Sequence, residues 1–395
     1  MPSIFNSLGS NYDQASGAYR LRLGGASRPS QLVDYLKQRY AASDAQLVYK
    51  GREALAQCLR ALNLPAGSSV AINGYTCYAV YQSVVDTGLK PYYLDISRDS
   101  LDFGPETLRQ ALDGHPEIKA VIVQNTLGLP VDITAIQTIC AERQLPVIED
   151  MAHCVGMRYD DGSEAGTKTL AAAFSFSQDK MIDAVTGGAA IVRQGELPAV
   201  MAPAGLRLRF TARIYPWLIG FIRRTHASGL GKIGLRLAKL LKLLPGPMSG
   251  NAQPAHRLPS WNAGLTLLAF DRLEANVQHR QAIAAIYRAA LPAQIQFEYH
   301  AGAVYLRFPL KIEKADELVR YLRSFGIGLG TRWYDAPIAP KWVNAQTDYQ
   351  AGTCPNAEWM SERMVNLPTH VHVSEKEAHF IAERVAAWLQ STPAQ

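Results

Sequence analysis

Three short stretches of the chain carry residue types that can do chemistry together. In Val147-Ile148-Glu149-Asp150-Met151-Ala152-His153, an apolar run ends in two carboxylates, with a histidine three residues after the second. Ligands of open parallel sheets gather beyond the carboxyl ends of the strands, so Asp150 either meets a ligand or caps the next helix. In Phe174-Ser175-Phe176-Ser177-Gln178-Asp179-Lys180, a strand-like run ends in hydroxyls, and Lys180 precedes the pair Gly187-Gly188. A lysine amine at a strand end can attack a carbonyl once its surroundings lower its pKa. A solvated charge is the plainer reading, and the glycines suit an ordinary tight turn equally well. In Lys50-Gly51-Arg52-Glu53-Ala54-Leu55, a glycine precedes a strongly helical run. Free N–H groups at a helix start favour an anion, and Arg52 adds charge; a plain loop-to-helix junction reads the same way.

Holding these stretches side by side takes a sheet with crossover helices, and the apolar pattern supplies one. Val70–Ile72, Pro91–Asp95, Ala120–Gln124 and Val147–Glu149 are short, β-branched or aromatic, and read as buried strands. Gly51–Leu62, Tyr78–Thr87, Pro105–Leu112 and Ile133–Arg143 have apolar residues at helical spacing. A strand every ~25 to 30 residues is what a βαβ crossover needs. Ala172–Phe176 and Gly188–Val192 leave little room for a helix between them, which predicts a hairpin-like end to the sheet. Further on, Leu265–Tyr287 reads as one long helix, Val304–Ile312 as a strand and Ala315–Phe325 as a helix. Ser374–Leu389 reads as a terminal helix opened by a capping box of Ser374 and Glu377. The fold class is α/β, with a large domain over 1–255 and a smaller α+β domain over 256–395. There is no internal repeat.

The chain has 395 residues, 48% hydrophobic and 19% charged, which excludes a disordered or fibrous protein. Its formal charge of +6 is uneven: Leu197 to Phe270 contains ten Lys or Arg and no Asp or Glu. The rest carries 30 basic and 34 acidic residues, so a local anionic partner is expected rather than general nucleic-acid binding. Five widely spaced cysteines without a CxxC pair argue against a disulfide framework or a zinc site. Met1 to Asp13 lacks the pattern of a signal peptide. The longest apolar span, Ile214–Ile222, is nine residues between Arg213 and Arg223, against the ~20 that a transmembrane helix needs. A cytoplasmic protein is expected.

Taken in order, these stretches resemble the DegT/DnrJ/StrS family of pyridoxal-phosphate sugar aminotransferases, which has the aspartate-aminotransferase-type (type I) PLP-dependent transferase fold. Gly51–Leu55 is similar to the family's helix start, and Tyr75-Thr76-Cys77 to the loop after it. Gly88 to Asp95 resembles its Gly-x-Pro-x-x-x-Asp element, Glu149–His153 its Glu-Asp-x-Ala-His, and Ser175–Lys180 its Ser-Phe-x-x-x-Lys. Asn366–His370 resembles its late Leu-Pro motif. The resemblance implies a mostly parallel sheet and pyridoxal 5'-phosphate as cofactor. It implies that Lys180 holds the cofactor aldehyde and shuttles a proton, and that Asp150 pairs with the pyridinium nitrogen. His153 would lie near the ring hydroxyl, while Ser175 and the backbone at Gly51 and Arg52 would bind the phosphate. It further implies an amino-acid donor such as glutamate, a keto-sugar acceptor, nucleotide-linked, for amino-sugar or surface-glycan biosynthesis, and a homodimer with shared sites. In that dimer Pro259-Ser260-Trp261-Asn262 would reach the neighbour's phosphate or simply start a helix.

Some positions depart from the family pattern. Arg52 stands where threonine is frequent, Asn125 where histidine is, and Thr186 where glutamate is. Where an aromatic usually stacks on the ring, alignment gives Cys77, with Tyr78 one position on; Tyr78 is preferred because a π-face suits the ring. A related dehydrating branch has histidine at the lysine position, and Lys180 argues against it. A non-sugar or lipid-linked ketone as acceptor, and a cofactor-binding regulator without turnover, are the competing readings.

The basic segment has its own pattern. In Leu230–Leu244, Lys232, Arg236, Lys239 and Lys242 recur at helical intervals, with Ile233, Leu237, Leu240, Leu241 and Leu244 opposite. Such a helix can lie on an anionic membrane or cover a nucleotide diphosphate. It can also pack its apolar side on its own domain. With Trp217 and the Ile214–Ile222 run, segment 213–244 predicts peripheral contact at the inner membrane surface.

Overall fold

The computed structural model describes residues 4–6, 11, 27–200, 202–226, 228–241, 243–244, 255–329 and 334–392. Most of Met1–Asp13, and Lys242, Pro245 and Pro247 of the basic segment, lie outside the described residues.

The strands are β1 Ile4–Phe5, β2 Asp44–Val48, β3 Ser69–Asn73, β4 Thr76–Cys77, β5 Lys90–Leu94, β6 Ile118–Gln124, β7 Val147–Asp150, β8 Ala171–Ser175, β9 Gly188–Val192, β10 Ala202–Pro203, β11 His256–Arg257, β12 Phe308–Lys311, β13 Ile327–Gly328, β14 Ile338–Ala339 and β15 Met364–Leu367. The helices are α1 Arg28–Arg39, α2 Gly51–Ala61, α3 Tyr78–Val85, α4 Pro105–Gly114, α5 Ile133–Glu142, α6 Leu206–Thr225, α7 Leu230–Leu240, α8 Ser260–Asp271, α9 Leu273–Ala290, α10 Ala315–Ser324, α11 Lys341–Asn344, α12 Pro355–Arg363 and α13 Glu375–Ser391.

Nine strands form the central sheet in the order β10-β11-β2-β9-β8-β7-β6-β3-β5. From β5 to β8 all neighbours are parallel, as crossover helices require. β9 then runs antiparallel to β8, and β2 antiparallel to β9, so the hairpin-like end is present. Strands β3, β8 and β9 are buried along their whole length because helices cover both faces.

Two expected elements are shorter than their apolar patterns. The long helix over Leu265–Tyr287 is broken at Arg272, which leaves helical geometry. Trp261 to Val277 join the core of the sheet, and Ile283, Ala284 and Tyr287, later in α9, join a second core, so α9 itself spans both. The strand over Val304–Ile312 is reduced to β12, because Val304 and Leu306 donate to Gly128 and Leu127 of the sheet's loops instead. β12 pairs antiparallel with β15, and the capping box of Ser374 and Glu377 opens α13.

The basic segment folds as α6 and α7, packed on each other. The inner face of α6 (Ala212, Tyr215, Ile219, Ile222) joins the main core. No helix among the described residues is long and apolar enough to cross a membrane.

Candidate active site

The three stretches meet at the carboxyl edge of the sheet. Asp150 is the last residue of β7. The chain leaves β7 through a series of turns, not a helix, and the Asp150 Oδ1 accepts only the local Ala152 N–H at 3.0 Å. Burial pushes the Asp150 carboxyl up, and the Lys180 ammonium pulls it partly back. His153 is buried, and its Nδ1 accepts the Leu127 N–H at 3.2 Å, which leaves the other ring nitrogen to carry the proton. Burial, with Lys180 and Arg307 nearby, pushes its pKa well down, so the ring is neutral. Glu149 serves architecture. Its carboxylate accepts from Tyr159 Oη at 2.6 Å, Gly166 N at 2.9 Å and Thr169 Oγ1 at 3.3 Å, fixing the loop beyond β7.

Lys180 lies in the loop between β8 and β9. Burial lowers its pKa, against the opposing pull of Cys77 and Asp150, which is the condition for a nucleophilic amine. The loop is held in an unusual shape. Asp179 and the β-branched Val185 both have positive φ, 63° and 69°, a conformation that costs about 1–3 kcal/mol each. Asp183 sustains it: Oδ2 accepts the Asp179 N–H and Oδ1 the Val185 N–H, both at 2.9 Å. Asn262 on α8 and Asn276 on α9 donate to the carbonyls of Ala184 and Met181, and Asn11 donates to that of Lys180. We expect Asp183→Ala to lower stability by about 2–3 kcal/mol by leaving one buried and one half-buried N–H group unpaired. Thermal unfolding checks this, and an unchanged melting temperature would contradict it.

Gly51 opens α2 directly against Ser175 at the end of β8. A Cβ on Gly51 would lie 2.6 Å from the Ser175 Cβ and 2.8 Å from its Oγ, so only glycine lets this hydroxyl reach the helix start. On β9, a Cβ on Gly188 would lie 2.8 Å from the Lys50 carbonyl and 2.9 Å from the Gly51 Cα. These glycines bring β8, β9 and α2 together without side chains between. The Arg52 guanidinium donates to Gln82 on α3, so near the anion position it is the first turn of α2 that matters. Lys50, one residue ahead, is lowered to about 8 by burial and by Arg52. Cys77 caps α3, its sulfur accepting from Ala79 N, and is among the groups whose charge Lys180 feels. Tyr78 stacks towards Tyr81 at 5.7 Å and borders Arg52. Asn125 donates to Tyr159 at 3.0 Å, and Thr186 to the Tyr49 carbonyl at 2.7 Å.

Three contributors escaped the sequence reading. Arg307, buried and lowered to about 10 by that burial, sends its charge to Lys180 and His153 from the segment before β12. Tyr334, also buried, sets its ring edge-on to His153 at 5.9 Å, while its carbonyl accepts from Tyr75 Oη. Asp102, pushed up to about 8 by burial, accepts from Asn73 and Thr126 and ties β3 to the end of β6. Asp183 had a readable signal, an aspartate spaced to receive N–H groups four residues back and two ahead. Arg307 and Tyr334 had none, since both come from remote parts of the chain.

An amine with lowered pKa, a carboxylate at the adjacent strand end, and a hydroxyl at a glycine-opened helix start suit a group with an aldehyde, a protonatable ring nitrogen and a phosphate. The residues present therefore fit pyridoxal phosphate.

The comparisons with known proteins agree. The family model described as "DegT/DnrJ/EryC1/StrS aminotransferase family" matches residues 29–386. Among solved structures, DesV of S. venezuelae, in complex with a ketimine intermediate, superposes with a TM-score of 0.76 at 20% identity, covering 100% of each chain. Spr1654 from Streptococcus pneumoniae in its PLP form gives 0.74 at 17% identity, covering 97% of this chain and 98% of that one. PseC of Helicobacter pylori, an aminotransferase involved in the biosynthesis of pseudoaminic acid, gives 0.72 at 15%, covering 98% and 100%. At these identities the structures establish the type I fold with its mostly parallel sheet.

Proposed function

Since this chain belongs to the DegT/DnrJ/EryC1/StrS aminotransferase family, whose enzymes use pyridoxal phosphate, we propose that it moves an amino group from glutamate to a nucleotide-linked keto-sugar. The observation that carries the reading is the convergence of Lys180, Asp150 and the Gly51–Ser175 cradle at one edge of the sheet. The bound cofactor supplies an electron sink that lets a proton leave the carbon bearing the amino group. In this reading Lys180 holds the cofactor and, once freed by substrate, moves that proton. Asp150 keeps the ring nitrogen protonated, and the neutral His153 lies by the ring hydroxyl with Tyr334 behind it. Ser175 and the first turn of α2, at Gly51 and Arg52, receive the phosphate. Cys77 or Tyr78, at the start of α3, would border the ring, with Tyr78 preferred because a π-face suits it. The cation of Arg307 is placed for the carboxylate of the amino-acid donor.

Donor and acceptor use the same site in turn, so ping-pong kinetics are expected. The test assays the loaded enzyme with a panel of nucleotide-linked keto-sugars, the free keto-sugars, and lipid-linked or non-sugar ketones. Turnover confined to free or non-sugar ketones would overturn the nucleotide reading, and turnover with none would favour the regulator.

The reading includes a large domain over 1–255 and a smaller one over 256–395, supported by a second core that draws most of its residues from Ile283 onward and is joined by Tyr75, Ile96, Leu101, Leu127 and Leu129. It also includes a homodimer. Pro259–Asn262 opens α8, where Asn262 donates to Ala184 of its own subunit, and in this reading the same stretch reaches the neighbour's phosphate. Sedimentation combined with assay at high dilution tests this, because a fully active monomer would exclude a shared site.

A further inference from the structure

Thirteen large hydrophobic side chains are exposed among the described residues, and ten of them lie in α6, α7 and the residue after α7. On α6, Leu206, Phe210, Trp217 and Phe221 are spaced by four, seven and four residues and so form one stripe down the helix. On α7, Leu230, Ile233, Leu237 and Leu240 form a second stripe, continued by Leu241. Their exposure is large: 81% for Leu206, 76% for Leu240 and 53% for Trp217.

The sequence pattern allows the leucines of α7 to be the packed side; Leu235 does pack against the main core, but Leu230, Ile233, Leu237 and Leu240 are exposed. α7 docks through its small residues, Gly231, Gly234 and Ala238. A Cβ on Gly231 would lie 2.2 Å from the Ile222 carbonyl, and one on Gly234 only 3.5 Å from the Phe221 ring. The helices touch backbone to backbone, and Phe221 links the two stripes. The fold thus spends the small residues and Leu235 on contact and turns the four other large residues of α7 outward, the reverse of what burial of apolar surface favours.

The flanks of both stripes are basic. Arg209, Arg213 and Arg224 border the stripe of α6, and Lys232, Arg236 and Lys239 that of α7; all six are exposed. No acid occurs between Leu197 and Phe270 to neutralise them. That charge selects the occupant. A second copy related by a two-fold axis would set this patch against itself and bring like charges together. A nucleotide diphosphate would use the cations and leave two apolar stripes in water.

We propose that the α6–α7 hairpin is a docking surface for an anionic lipid bilayer, with the Leu/Phe/Trp stripes in the headgroup–acyl boundary and the Arg/Lys flanks on the phosphates. The hairpin lies on the membrane and does not cross it, consistent with the lack of a spanning helix among the described residues. Binding weakens as salt screens the flanks.

The experiment is vesicle flotation of the full-length, cofactor-loaded protein at low and high salt, with sedimentation velocity in parallel. One set of vesicles is phosphatidylcholine, and the other contains phosphatidylglycerol as well. Two variants accompany the wild type. One carries Arg213→Gln, Arg224→Gln, Arg236→Gln and Lys239→Gln; the other carries Phe210→Ser, Trp217→Ser, Leu237→Ser and Leu240→Ser. Wild type should bind only the anionic vesicles, and less at high salt. The charge variant should lose roughly 10²- to 10³-fold in partitioning, at about fivefold per cation. The apolar variant should also lose binding, and activity on water-soluble substrates should be unchanged in both. Lack of anionic-vesicle binding by wild type at low salt overturns the proposal. Dissociation of a wild-type oligomer by the apolar variant, without vesicle binding, assigns the face to a second copy and overturns it too.

Discussion

Replacing Lys180 with alanine should lower transamination by about 10⁴-fold or more, whatever the substrate, because in the proposed function one amine is both the anchor and the proton carrier. Burial lowers the pKa of Lys180, which favours the free amine that both tasks need. The decisive readout does not depend on turnover. Borohydride reduction of the loaded wild-type protein should fix the cofactor to the peptide containing Lys180, and reduction of the variant should fix none. A label on Lys50 or another lysine would remove the assignment. Restraint of the loop by Asp183, Asn262 and Asn276 is independent of the Lys180 side chain, so the variant should fold.

Asp150→Asn should cost about 10²-fold or more in turnover while leaving cofactor bound. The replacement keeps the side chain's size, and its oxygen can still accept from Ala152, so local geometry survives. What goes is the negative charge that Lys180 feels and that, in the proposed reading, would face the ring nitrogen. Cofactor content by absorbance, measured with the rate, separates this from simple loss of binding. A near-wild-type rate would show that Asp150 is a turn cap and no more.

The parts of the fold nearest the chemistry were legible because they are locally encoded. The apolar runs ending at Asp150 and Ser175 can only be buried strands, and Gly51 before a helical run marks a helix start. β2 was not legible: its sequence, Asp-Ala-Gln-Leu-Val, alternates weakly and becomes a strand because β9 lies beside it. The break at Arg272 was equally hidden, since the apolar periodicity runs through it with no glycine or proline to mark it. Arg307 and Tyr334 reach the site through tertiary structure alone. For α7 the periodicity was right, but whether leucines or glycines face inward is decided by how closely α6 approaches.

The pairing of β2 with β9 sets a timetable for synthesis. Val48 pairs with Gly188, about 140 positions later, so the edge of the sheet beside Gly51 stays open while that length of chain is made. At ~5–20 residues per second this wait is on the order of ten seconds. Only then can Gly51 meet Ser175 and the loop of Lys180 close behind it. Until that moment β2 is an unpaired strand at risk of joining another chain, and truncation before Val192 should give an aggregating product rather than a partial fold.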